Sequence, residues 1–168
     1  MHKILMILSL LLSGPVVFAA PPVEYGVDRP GMDYTSFNLA RANPLACQTS
    51  CNIDYRCKAW TYVRPGVQGP TARCWLKHAV PAPVRSTCCS SGRAPQVEYG
   101  VDRPGMDFQN FNLSAPNPDL CRASCFRNGA CRAWTYVRPG VQGPTARCWL
   151  KYGIPTAARS ACCSSGLK

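Results

Sequence analysis

The chain has 168 residues, a formal charge of +11, 12 Cys, 16 Pro and 13 Gly. That length allows one ordinary domain or two very small ones, and the cysteine density favours two small disulfide-rich units. Charged residues at 16% and hydrophobic residues at 46% exclude a disordered polyelectrolyte, and two His in the whole chain leave little for His-based catalysis.

The first residues read as an export signal. His2 and Lys3 form a short basic stretch, an apolar run extends from Ile4 to Leu12, and Ser13-Gly14-Pro15 breaks it. Val17-Phe18-Ala19 supplies short side chains at the −3 and −1 positions, so cleavage is expected after Ala19, making 1–19 a signal peptide. The run falls short of the ~20 residues that span a bilayer, so no membrane insertion is expected once the signal is removed. Cleavage lowers the charge by one, that of Lys3. A secreted location, periplasmic or extracellular, makes disulfides the default state of the cysteines.

The rest of the chain is one unit written twice. Val23-Glu24-Tyr25-Gly26-Val27-Asp28-Arg29-Pro30-Gly31 returns from Val97 to Gly105, an offset of 74 that holds without a gap. Cys47, Cys51, Cys57, Cys74, Cys88 and Cys89 return as Cys121, Cys125, Cys131, Cys148, Cys162 and Cys163. Roughly two-thirds of the aligned positions are identical, the mark of a duplication. The expected units are 23–92 and 97–168, with a Pro-stiffened linker at 93–96. Each has about 70 residues, where a single hydrophobic core is marginal and covalent staples help.

Within one unit, residues 23–27 are expected to be extended, ending in a turn at Arg29-Pro30-Gly31. Phe37 and Leu39 alternate as in a short strand. Asn43-Pro44, repeated as Asn117-Pro118, starts a helix, with Asn as the cap and Pro at the first helical position. Cys47 and Cys51 then lie on one face of that helix. Residues 57–64 form a strand rich in Trp, Thr, Tyr and Val, residues 65–70 a wide turn, and residues 73–77 the returning strand. Nothing regular is expected after it until Cys88-Cys89-Ser90-Ser91-Gly92.

With the helix cysteines facing the hairpin, the expected bridges are Cys51–Cys57 and Cys47–Cys74, and in the second unit Cys125–Cys131 and Cys121–Cys148. Each is expected to contribute about 2–4 kcal/mol. Cys88 and Cys89, with Cys162 and Cys163, are left unassigned: adjacent cysteines close only a tight ring, and bridges between repeats or between chains are the alternatives. A metal site is not expected, because the spacings are C-x3-C and C-x5-C and the units share no His.

Cysteines four apart on a helix, then Cys-x-Ala-Trp-Thr-Tyr-Val, then Cys-Trp-Leu-Lys, resemble the PAN/apple domain. The stretch Ala59 to Pro70 with the closing Cys88-Cys89-Ser90-Ser91-Gly92 is similar to the bacterial branch of that family. The resemblance covers nearly all of both units. It implies an α+β, small disulfide-rich fold: two modules, each a curved antiparallel sheet cradling one helix. It also implies a non-catalytic module that binds proteins or carbohydrates. Apple domains of animal proteins often close their ends with a bridge from an N-terminal Cys; no Cys precedes Cys47, so that closure is missing here.

The copies differ unevenly. From Leu45 to Arg56 only Cys47, Ser50 and Cys51 are shared, whereas Ala59 to Lys77 is identical to Ala133 to Lys151. Either a hairpin with two Pro, two Gly and a Cys tolerates little, or it is the contact surface in both copies. If Cys57 and Ala59 face the helix, strand alternation turns Lys58, Trp60, Tyr62 and Arg64 away from it. Cys74 facing the helix turns Arg73, Trp75 and Lys77 away. One face then mixes aromatics with cations, and the candidate ligand-binding residues are Trp60, Arg64, Arg73 and Lys77 with Trp134, Arg138, Arg147 and Lys151. The alternative is that Trp60 and Trp75 belong to the core.

The leading function class is a secreted binding protein for protein or acidic glycan. The second is a small structural or assembly protein of the cell envelope, cross-linked through its extra cysteines. An enzyme is not expected: His78 becomes Tyr152 in the second copy, and no base accompanies Glu24, Asp28, Asp33 or the paired serines. No cofactor is called for. The charge permits nucleic-acid binding, but an exported chain meets little of it.

Overall fold

A computed structural model describes residues 21–168. The expected signal peptide lies outside the described residues. No helix among the described residues is long and apolar enough to cross a membrane.

Each module is one five-stranded antiparallel sheet with one helix laid across it. Module 1 contains β1 (Glu24–Asp28), β2 (Asp33–Asn38), α1 (Pro44–Ile53), β3 (Ala59–Val63), β4 (Arg73–Lys77) and β5 (Val84–Arg93), in the sheet order β1-β5-β3-β4-β2. Module 2 repeats it with β6 (Glu98–Asp102), β7 (Asp107–Asn112), α2 (Pro118–Arg127), β8 (Ala133–Val137), β9 (Arg147–Lys151) and β10 (Ala158–Leu167). Both helices begin as their sequences dictate: the Asn43 side chain accepts from the Leu45 N–H at 2.9 Å, Asn117 does the same for Asp119 at 2.9 Å, and Pro takes the first helical position.

The longest strand of module 1 is the one its sequence hides. β5 lies between β1 and β3 and extends to Arg93. Ser, Thr, Cys and Gly give it no hydrophobic alternation, because small residues are what its neighbours leave room for. Gly92 sits opposite Trp60, and a Cβ built on Gly92 would lie 2.9 Å from the indole Cζ2. Between Tyr25 and Val27 the pairing jumps from Ser90 to Arg85, so residues 86–89 bulge out opposite Gly26, which has φ +70°.

That bulge holds a Cys88–Cys89 disulfide, and β10 holds Cys162–Cys163. The tight ring is thus the pairing in both modules, in place of a bridge between the repeats. Cys47 bonds Cys74 and Cys51 bonds Cys57, with Cys121–Cys148 and Cys125–Cys131 in module 2. No free cysteine exists among the described residues. Digestion without reductant is expected to release Cys88 and Cys89 in one peptide, lighter by the hydrogen pair lost on oxidation. A peptide linking either residue to module 2 or to another chain contradicts the pairing.

The core of module 1 joins Cys47, Cys51 and Cys57 to Trp60, Tyr62, Cys74 and Leu76 between helix and sheet. The alternation expected for β3 is thus inverted. Trp60 and Trp134 are fully buried, and they face the helix. Cys57 lies before the strand begins, so it does not set the strand's phase. The phase comes from the ladder: Tyr62 pairs with Cys74 and Trp60 with Leu76, and directly opposed residues share a face. Ala59, Thr61 and Val63 point outward with Arg73, Trp75 and Lys77.

The modules join through their helices, which pack on each other. Arg122 of α2 is fully buried. It donates to the carbonyls of Asn52 at 3.0 Å, Asp54 at 3.2 Å and Cys57 at 3.3 Å, and to Asp119 Oδ1 at 3.0 Å. Arg127 donates to the Ile53 carbonyl, and Lys58 pairs with Asp119. Two guanidinium groups thus satisfy the open carbonyls at the end of α1, where the helix dipole is negative. The counterparts of Asp119, Arg122 and Arg127 in module 1 are Leu45, Gln48 and Ile53. The junction sets one side of α2, from Asp119 to Arg127, against the C-terminal end of α1, so the two copies present different surfaces to it and their helices must differ.

Beside the junction, module 1 carries a cluster that module 2 lacks. The Tyr34 hydroxyl donates to Asp54 Oδ2 at 2.9 Å, and Arg56 pairs with the same oxygen at 3.0 Å. Burial, then the bond to Asp54, pushes the Tyr34 hydroxyl pKa up. Partial burial would raise the Asp54 carboxyl, but hydrogen bonds from Arg56 and Tyr34 outweigh it and hold the pKa below the ordinary carboxylate value of 3.8. A depressed folded pKa stabilises fully above the unfolded value and is lost as pH falls through the folded one. Asp54→Asn, which installs the module 2 residue, is therefore expected to lessen the loss of stability below about pH 4. Denaturant titrations of both proteins across that range check it; equal acid sensitivity contradicts it.

Candidate functional site

The face of each sheet away from the helix is polar, and charged side chains are buried in it. In module 1 the turn after β1 crosses this face. Arg29, only 4% exposed, forks onto Glu24 through contacts of 2.8 to 3.0 Å and donates to the Pro81 carbonyl at 2.6 Å. Lys77, 2% exposed, pairs with Asp33 and donates to the Gly31 carbonyl at 3.1 Å. Arg103 with Glu98, and Lys151 with Asp107, repeat these pairs in module 2. Buried ion pairs add little net stability to a small domain, so their presence in both copies favours a role in shaping this face.

The face opens into a cleft of about 240 Å³ in module 1. Its walls are Asp28, Pro30, Gly31 and Asp33 from the crossing turn, Thr61, Val63, Trp75 and Lys77 from β3 and β4, Gln68 from the wide hairpin turn, and the Cys88–Cys89 bridge. Every one of these residues is identical in module 2, from Asp102 to Cys163. Met32, between two of the lining residues, has φ 60°, and its counterpart Met106 has φ 56°. A left-handed conformation at a non-glycine residue costs of order 1–3 kcal/mol and is typical of positions held in place for binding.

Trp75 is half-buried in this cleft. Its indole Nε1 donates to Gln68 Oε1 at 2.9 Å, as Trp149 does to Gln142 at 2.9 Å. The hairpin turn that carries Gln68 is fixed by a Gly66 N–H to Gly69 carbonyl bond of 2.8 Å, with φ +85° and +130° at those glycines.

The candidate residues named from sequence separate in four ways. Trp60 and Trp134 are core side chains, not ligand-facing ones. Lys77 and Lys151 line the cleft, but each is neutralised by its buried aspartate, so neither is a free cation for an acidic ligand. Arg73 lies over the Trp75 ring at 5.2 Å and bonds Ser36 Oγ at 2.7 Å; Arg147 lies over Trp149 at 5.6 Å and bonds Asn110 Oδ1 at 3.0 Å. Arg64 and Arg138 are exposed just past β3 and β8 and are tied by their backbone N–H groups to the Cys88 and Cys162 carbonyls at 3.1 Å. Sequence reasoning passes over Asp28, Asp33 and Gln68 as turn residues. The available signal is their identity in both copies, which the outright identity of the neighbouring hairpin obscures.

A sequence model described as the PAN domain matches residues 27–77 and again 101–151. No curated protein matches. Among solved structures, the chain is similar to the solution ensemble of the two N-terminal apple domains of Toxoplasma gondii microneme protein 4, at 16% identity over 89% of this chain and 96% of that one, with a TM-score of 0.34. The two matched segments together span more than half of the sequence and contain in each module the helix, the hairpin and the stapling cysteines, and the chain belongs to the PAN domain family.

Proposed function

We propose that this chain is an exported, non-catalytic binding protein whose two PAN modules recognise carbohydrate. PAN and apple domains are interaction modules. Six disulfides in 148 described residues support an oxidising, extracellular or periplasmic setting. The observation that carries the carbohydrate reading is the outer-face cleft, which combines an aromatic ring with several hydrogen-bonding groups and is lined by the same residues in both copies. The formal charge of +11, less the one carried by Lys3 of the signal, draws the exported protein toward anionic surfaces over about a Debye length of 8–10 Å, and two sites on one chain add avidity on a polymer. Envelope assembly through spare cysteines is less well supported, since every described cysteine is paired inside its own module. A glycan array probed with the oxidised protein over a salt series tests the reading. Binding that survives at high salt for a subset of glycans is expected. No glycan signal, with capture of an acidic protein instead, overturns it.

A further inference from the structure

Building on the carbohydrate reading, we propose that the cleft around Trp75 and the Cys88–Cys89 bridge binds one uncharged, hydroxyl-rich sugar ring, and that module 2 repeats the site around Trp149. At about 240 Å³ the cleft lies below the ~300–1,000 Å³ that holds a drug-sized molecule, so it suits a single ring. Its hydrogen-bonding groups come in complementary kinds. Asp28 Oδ1 accepts from the Arg29 N–H at 2.7 Å and Asp33 Oδ1 from Lys77, and among the described residues no protein donor reaches either Oδ2. Ionised carboxylates only accept. Gln68 spends its oxygen on Trp75, which leaves its amide nitrogen as the group it can donate. Sugar hydroxyls both donate and accept, and so satisfy the two kinds together. The apolar C–H face of such a ring matches the Trp75 indole, Val63 and the polarisable disulfide.

Charge selects the ligand further. An anion entering the cleft meets two carboxylates against one ammonium. A cation meets a strongly basic chain, with the Lys77 ammonium in the cleft wall and the Arg73 guanidinium against the Trp75 ring. A neutral polyol avoids both penalties. The site is also rigid before binding: Gln68 is held by the Gly66–Gly69 turn, Asp33 by buried Lys77, and Asp28 by the backbone beside it.

The test uses the full exported chain, a panel of neutral methyl glycosides with glucuronate and sialic acid as acidic probes, and two-dimensional NMR. A neutral glycoside is expected to shift the Trp75 and Trp149 indole signals saturably, and the acidic probes not to. Asp28→Asn with Asp102→Asn keeps the turn-capping oxygen and replaces the free acceptor, and is expected to weaken binding about tenfold, the value of a lost charge-assisted bond. Gln68→Ala with Gln142→Ala lies in exposed turns and is expected to weaken it about threefold or more. Arg41→Ala, exposed and without a counterpart in module 2, leaves binding unchanged. If array-positive glycans bind these cleft variants as tightly as the parent, or shift signals only elsewhere, the site assignment fails while the carbohydrate reading stands. If only acidic sugars bind, the ligand chemistry fails. If no glycan binds the parent on the array, both fail.

Discussion

Replacing Arg122 with alanine is expected to destabilise the chain by about 3–5 kcal/mol and to release the two modules from their fixed arrangement. The guanidinium is fully buried and serves three module 1 carbonyls and Asp119 at once. Its loss leaves those carbonyls without their donor and leaves Asp119, 6% exposed, with Lys58 as its remaining cation. An exposed ion pair is worth only about 0.2–1 kcal/mol, so the large effect comes from burial and from the number of acceptors stranded. Arg122→Gln, which installs the residue of module 1, is expected to fall between the parent and Arg122→Ala, because Gln fills part of the volume but cannot reach all four acceptors. Urea denaturation reads the energy, and small-angle scattering reads the arrangement through a broader distance distribution in the variants. Parent-like unfolding and scattering for Arg122→Ala would show that the modules are not joined through this residue.

The same junction shows where the sequence is legible and where it is not. The duplication, the capped helix starts and the hairpin are all readable, because each rests on local rules: an exact offset, an Asn-Pro start and β-forming runs around a Pro-Gly turn. The family resemblance rests on the same features, and the family match and the architecture agree with it. The phase of β3 is not readable. Ala-Trp-Thr-Tyr-Val contains a strand former or a small residue at every position, so the pattern does not mark an inner face, and Cys57, the nearest apparent marker, precedes the strand. β5 escapes notice because its small residues answer to Trp60 and to the Glu24–Arg29 fork across the sheet, partners remote in sequence. Lys77 looks like a surface cation, since nothing local reveals that Asp33 and the Gly31 carbonyl wait for it. The divergence of the helices is visible as a pattern, yet its cause lies in how the two modules meet, which a single copy cannot display.

The two tryptophans of the module 1 hairpin are expected to separate folding from binding. Trp60→Ala should cost about 3–5 kcal/mol and unfold module 1 under conditions that leave module 2 folded. The indole is fully buried among Cys47, Cys51, Tyr62 and Leu76, and a module of about 70 residues has little reserve of core to lose. The disulfides hold α1 to the hairpin but cannot fill the space the ring vacates. The opposite change at the same contact gives an independent check: Gly92→Ala places a Cβ 2.9 Å from the indole, and Gly166→Ala places one 2.8 Å from Trp134, so each should cost about 1–3 kcal/mol by overpacking. Trp75→Ala removes a half-exposed ring whose contacts are Gln68 and Arg73, and should change stability by under about 1 kcal/mol. It should nevertheless abolish glycan binding by module 1, because it removes the apolar floor of the cleft. Urea denaturation and glycan binding, measured on the same two variants, read the separation. The reverse outcome, a stable Trp60→Ala that no longer binds and an unfolded Trp75→Ala, would put β3 in the opposite phase and move the binding surface to the other tryptophan.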